Sequence, residues 1–238
     1  MDYRASTGYR WRNEHIKIIN MEIKKINLKD ILEFEQRYRT TFINSLSGFK
    51  TPVLIGTWDG NGKANLAIFN SLIHIGASPP LVGFIVRPDS VERHTLQNIL
   101  ETKVFTINHV KEEFYKKAHQ TSARYSNEQN EFKEVGLTEE YKTDFFAPFV
   151  KESSIQIGLD FIEKIDITIN GTTMVIGKIK TLTIPINCIH TDGFIDVKKA
   201  GTIASAGVDS YYKTTPISRL SYAKPNTEIT VIKSSTID

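Results

Sequence analysis

Pro52-Val53-Leu54-Ile55-Gly56-Thr57-Trp58, followed by Asp59-Gly60-Asn61-Gly62 and then by residues 63–71, reads as strand, turn and returning strand. The first run is apolar and β-branched, the middle four residues tolerate the positive φ of a tight connection, and the return is again strand-forming. Working outward from this hairpin, Leu81-Val82-Gly83-Phe84-Ile85-Val86 is a continuous apolar run that predicts a buried strand. It is entered through Pro79-Pro80, a pair that cannot sit inside a central ladder. Residues 104–110 predict one more strand. Between these two strands Leu96, Ile99 and Leu100 share a helical face, and Thr95 suits the N-cap of a helix over 95–101.

Upstream, Ile31, Leu32, Phe34, Tyr38, Phe42, Ile43 and Leu46 recur mostly at three- and four-residue steps, which predicts an amphipathic helical lead-in over 30–46. Residues 1–20 are polar and aperiodic and read as a tail, leaving 21–238 as a single domain. Downstream, a second helix is expected over 112–125 and irregular chain over 126–150, with Gly136 and Pro148 as punctuation. Strands follow over 154–161, 165–170 and 172–184, the last two joined by the tight-turn pair Asn170-Gly171. Regular βαβ alternation is absent, so a doubly wound parallel sheet is disfavoured. The expected fold is mainly β, an antiparallel barrel with inserted helices.

The composition removes several function classes. The 238 residues are 40% hydrophobic and 24% charged, enough apolar material for a full core. Thirty basic and 27 acidic residues leave a net charge of +3, scattered along the chain, so no nucleic-acid stripe is expected. Cys188 is the single cysteine, which excludes an intrachain disulfide and a Cys-based metal site and favours a reducing compartment. No secretory-type apolar run follows the N-terminal arginines and no window approaches a membrane span, so a cytoplasmic location is expected. His74, His109 and His190 are dispersed, and no G-x-S-x-G elbow, P-loop or helix-opening G-x-G-x-x-G is found. Metal, phosphoryl-transfer and Rossmann-type chemistry are disfavoured.

Four stretches taken in order are more informative than any of them alone. They are Asn65-Leu66-Ala67-Ile68-Phe69-Asn70-Ser71, Gly76-Ala77-Ser78-Pro79-Pro80-Leu81-Val82, Arg93-His94-Thr95-Leu96-Gln97-Asn98-Ile99 and Phe105-Thr106-Ile107-Asn108. Together with the Asp59-Gly60 turn, their order and spacing resemble the flavin reductase-like, FMN-binding split-barrel family, which is flavoredoxin-like. The resemblance runs from about Ser45 to Pro225 and is densest over 51–109. It implies an antiparallel split β-barrel of Greek-key type. It further implies bound FMN, NAD(P)H as a transient substrate, a final small-molecule acceptor or redox partner protein, and a homodimer with flavin near the interface. An FMN-bearing electron carrier reduced by a partner protein, and a flavin-free binding module, are the alternatives.

FMN presents a flat ring with polar edges and a terminal dianion, so a site needs backbone donors along the ring edge and a cationic, amide-rich pocket for phosphate. A helix start supplies the second. Arg93 and His94 stand just before the expected helix, Thr95 opens it, and Arg87 at the exit of the strand over 81–86 adds another cation. Without the family pattern the same residues read as an ordinary capped, solvated helix start. Many relatives carry a small hydroxyl residue at the place of Arg93. The resemblance assigns the ring edge to the stretch containing Asn65, Ala67, Asn70 and Ser71, which otherwise reads as a plain edge strand. Asn108 and His109 are expected to end their strand near the flavin. His119 and Ser122 lie three apart on one helical face and, with Arg124, are candidates for the dimethylbenzene side or the nicotinamide approach. Asp209, Tyr211 and Tyr212 are candidates for covering the cofactor. A hydride transferred to flavin N5 needs no strong acid or base from the protein, and no catalytic side chain is expected.

Overall fold

The computed structural model describes residues 22–88, 94–126, 128–233 and 235–237. The expected tail over 1–20 and the phosphate candidate Arg93 lie outside the described residues. The chain divides into two compact units, Met1–Arg39 and Thr40–Asp238. The expected lead-in helix is two helices, α1 (Leu28–Glu33) and α2 (Gln36–Leu46). The break falls at Phe34, whose ψ of 142° is extended. Local caps favour it: Asp30 accepts the Asn27 N–H at 2.7 Å, and Glu35 accepts the Tyr38 N–H at 3.0 Å.

In the second unit the quoted hairpin is β1 (Val53–Trp58) and β2 (Ala64–Phe69). It is followed by β3 (Ile73–Ala77), β4 (Pro80–Val86), α3 (His94–Thr102) and β5 (Val104–His109). A short 3-10 turn, Glu112–Phe114, leads into α4 (Tyr115–Gln120) and then α5 (Glu131–Val135). The rest is β6 (Glu139–Lys142), β7 (Phe145–Val150), β8 (Gln156–Ile167), β9 (Thr172–Thr183), β10 (Ala204–Ala206) and β11 (Ser210–Tyr212).

Seven strands form one sheet in the order β2-β1-β5-β8-β9-β4-β3, antiparallel at every pairing. β2 and β3 are consecutive in the chain and yet occupy opposite edges of that sheet, separated by residues 70–72. The sheet therefore curls until its edges approach, and no ladder closes the gap. One side chain clasps it: the Ser71 hydroxyl donates to the Ile85 carbonyl at 3.2 Å and the Ile85 N–H donates back to the Ser71 oxygen at 3.0 Å. The fold is an unclosed, split antiparallel barrel, as the resemblance implied.

Side chains fill the barrel interior. Phe84 and Phe105 are wholly buried, their ring centroids 5.7 Å apart in a T-shaped arrangement. Gly177 makes the room, because a Cβ there would come within 2.5 Å of the Phe105 ring. A second core lies where Phe114, Ala118, Phe132 and Val135 of the helical segments pack on Leu54 and Leu66.

The stretch 126–150, expected to be irregular, holds α5 and the β6–β7 hairpin. α5 is too short to show a helical period, and it is fixed by its ends instead: the Asn130 side chain accepts the Lys133 N–H, and Gly136 ends it at φ 68°. Pro148 obscured β7, but among the described strands β7 pairs with β6 alone, and the Pro148 carbonyl accepts the Thr106 hydroxyl at 2.6 Å. The two strands expected over 154–161 and 165–170 are one long strand, β8, whose register slips against β9 near Gly158 and again near Phe161. The helix expected over 112–125 stops at Gln120. β3 and the small β10–β11 hairpin escaped the sequence reading.

Candidate functional site

A cleft of about 970 Å³ runs along the outer edge of β2, at the upper end of the roughly 300–1,000 Å³ common for small-molecule sites. It is walled by Asn65, residues 67–71, the end of β4 through Arg87, the first turn of α3, the end of α4 with residues 121–126, and Glu131. Residues near 44–52 and 205–211 complete it.

Two backbone features give the cleft its chemistry. β2 is an edge strand, so alternate residues turn their N–H and C=O away from β1. The Leu66 N–H does so and donates to Glu131 Oε2 at 3.2 Å. The two-residue period turns the main chain of Ile68 the same way, and Ile68 lines the cleft. At the other feature, the start of α3, the first turn of a helix presents N–H groups without intrahelical partners.

Most of the predicted residues come together here. Asn65 is buried, and its amide donates to Thr57 Oγ1 and Thr95 Oγ1, each at 3.1 Å, while Asn98 donates to the same Thr57 oxygen at 3.1 Å. Asn65 thus ties β2 to α3 and fixes the helix start against the strand edge. Thr95 falls inside the first turn, since α3 begins at His94, and so is not the cap that its position suggested. Ala67 and His94 line the cleft, and Arg87 stands exposed at its rim. Asn70 donates to the Gly207 carbonyl at 2.6 Å, and Ser71 is held in the clasp on Ile85. Both line the cleft and each holds a partner within the protein.

His119, Ser122, Arg124, Asp209 and Tyr211 also line the cleft. His119 Nδ1 lies 2.8 Å from the Tyr211 hydroxyl. Burial, reinforced by the Asp209 charge, pushes Tyr211 up to about 12, so its phenol stays protonated at neutral pH. Tyr212 lies outside the cleft and packs edge-to-face on Phe49 at 4.9 Å.

Asn108 is a correction. The strand does end near this region, but the side chain points into the barrel wall, fully buried. Its amide donates to the Leu54 carbonyl at 3.1 Å and to Thr106 Oγ1 at 2.9 Å, and its oxygen accepts the Val150 N–H at 3.0 Å. Both amide hydrogens and the oxygen are thus engaged within the barrel wall. His109 also stays off the cleft, with Nδ1 3.0 Å from Thr202 Oγ1. Burial lowers its pKa to about 4, so the ring is neutral at pH 7. An unfolded histidine takes up a proton below about 6.5, whereas the folded ring resists until about 4. Stability from this residue is therefore complete above about pH 6.5 and lost as pH falls toward 4, by at most about 3 kcal/mol. Urea midpoints at pH 7 and pH 4.5 should converge in His109→Gln relative to wild type; an unchanged acid loss in the variant counts against this assignment.

Glu131 was missed. A lone carboxylate ahead of Phe132 carries no periodic signal; the Asn130 cap and Gly136 stop are its only local clues. Among the described residues, no group of three or more His, Cys, Asp or Glu is placed to hold a metal ion, and no helix is long and apolar enough to cross a membrane.

An unclosed antiparallel barrel with a long cleft laid along its unpaired edge defines the class as a split-barrel protein. Residues 46–189 match the family model described as flavin reductase like domain, and the chain belongs to that family, whose name is that of flavin-linked redox chemistry. A candidate flavin reductase with split barrel domain from Shewanella frigidimarina NCIMB 400 is 48% identical, with a TM-score of 0.81 over 84% of this chain and all of that one. Nitrilotriacetate monooxygenase component B from Bacillus cereus, at 18% identity, shares the fold with a TM-score of 0.73 over 84% of this chain and all of that one. An uncharacterized protein of Aquifex aeolicus (strain VF5) is 33% identical over 103 residues, 42% of this chain and 53% of that relative. The aligned stretch thus spans about half of that relative's length.

Proposed function

We propose that the protein binds FMN in this cleft, reduces it with NAD(P)H and passes the electrons to a small-molecule or protein acceptor, acting as a cytoplasmic homodimer. The observation that carries the reading is the outward-turned main chain of β2 at a cleft that reaches the first turn of α3. The residues present suit the cofactor. The edge main chain at Ile68 matches a ring edge that both donates and accepts, and the α3 start with His94 and Arg87 suits a dianion.

Bound FMN would supply a ring nitrogen able to accept hydride and pass electrons on. The chain's own work is positional. Asn65 fixes the helix start to the strand, Ser71 holds the loop after β2, and the Tyr211–His119 pair stiffens the wall facing the ring edge. Because phenylalanines fill the barrel interior, a flat ligand lies outside it, where a second subunit would exclude water.

The purified protein should take up FMN with a visible flavin spectrum, and anaerobic NADH or NADPH should bleach it. Failure to bind FMN removes the cofactor assignment. Binding without bleaching by either nucleotide removes the reductase step and leaves the FMN site standing.

A further inference from the structure

Glu131 is a carboxylate on the cleft wall with 7% of its surface exposed. Its position is fixed: Oε2 accepts the Leu66 N–H at 3.2 Å on the same strand edge that faces the cleft. An uncharged amide oxygen would accept that bond equally well, whereas a buried charge is costly to keep. The groups around it do not neutralise it. His94 at the start of α3 and Lys63 from the β1–β2 turn act on it through their charges, β2 offers a backbone amide, and His119 and Arg124 stand on the cleft wall beyond α4. Burial outweighs the stabilising neighbours and raises its pKa above the ordinary carboxylate range.

A charge-capable acceptor has therefore been placed beside the helix start, where the phosphate end of the ligand is proposed to sit. We infer that Glu131 couples the binding of that phosphate end to proton uptake from solvent, a step that rests on the cofactor reading above. A second anion beside it raises the carboxyl pKa further. On ligand binding Glu131 takes the proton on Oε1, keeps Oε2 as acceptor for Leu66, and gains an O–H able to donate to a phosphate oxygen. Ligand binding is consequently favoured at lower pH, and the coupling vanishes when the ligand has no phosphate.

The test compares wild type with Glu131→Gln, which keeps the acceptor and removes the titration. Dissociation constants for FMN and for riboflavin are measured from pH 5.5 to 8.5. Wild-type affinity for FMN should fall relative to the variant by about three- to tenfold as pH rises, the size of a shift of about half to one pKa unit. Riboflavin should give the same profile with both proteins. Titration of the phosphate itself is common to both and cancels in the comparison. Parallel FMN profiles, or an equal divergence with riboflavin, overturn the inference while leaving the FMN site intact. Should the variant not fold, calorimetry of wild type in two buffers of different ionisation enthalpy reads the proton directly. Net uptake with FMN, none with riboflavin, and a bound phosphate whose 31P shift stays that of the dianion support the coupling; no uptake with FMN, or uptake onto the phosphate, overturns it. Wild type that binds neither flavin overturns the cofactor reading and this inference together.

Discussion

Phe105→Ala is expected to lower the unfolding free energy by about 3–5 kcal/mol, a large share of the roughly 5–15 kcal/mol that holds a typical domain together. The ring is wholly buried at the centre of the barrel, against Phe84 on one side and over Gly177 on another. Collapse cannot relieve the void. Phe105 lies on β5, which is locked between β1 and β8 by continuous ladders, so the walls cannot move inward without breaking them. The urea midpoint should drop with the slope unchanged. A loss below about 1 kcal/mol would mean that the barrel interior is not packed around this ring.

Asn108→Leu is expected to cost about 2–3 kcal/mol, because it strands the buried Val150 N–H, at about 1–3 kcal/mol, and removes the side-chain bonds to the Leu54 carbonyl and Thr106 Oγ1. Val150 and Leu54 belong to β7 and β1, so the side chain is a strut that joins the β6–β7 hairpin to the main sheet. Leucine has the same branched outline, is bulkier, and brings no compensating polar atom. Since the strut lies off the cleft, folded Asn108→Leu should bind FMN as wild type does. A variant with wild-type stability and weakened flavin binding would return Asn108 to the ligand site.

What could be read from the sequence was whatever repeats within a few residues. The β1–β2 hairpin, β4, α3 and β5 were legible because apolar runs, a Gly-rich turn and one helical face each announce themselves locally. β8 looked like two strands because Glu163 and Lys164 interrupt its apolar pattern where the strand turns exposed. α5 and β3 were too short, and Pro148 hid β7 because its tolerance depends on which side of the hairpin is paired.

The candidate site divides in the same way. Its residue types were visible, and most of them do line one cleft. Their roles were not, because roles depend on partners distant in the chain. Asn65 is occupied by Thr95, Asn70 by Gly207, and Asn108 by Val150. Side chains read as ligand contacts also hold partners within the protein, and Glu131, a buried carboxylate on the cleft wall, belongs to a segment that looked irregular.

In the proposed function the unpaired edge of β2 and the start of α3 together grip one phosphate-bearing ring. A crystal structure of the protein with FMN tests it most directly. The ring edge should hydrogen-bond to main chain around Ile68 and the loop that follows, with the phosphate at His94 and Thr95 beside Arg87. FMN bound elsewhere on the barrel, or a cleft that stays without FMN at saturating concentration, would contradict it.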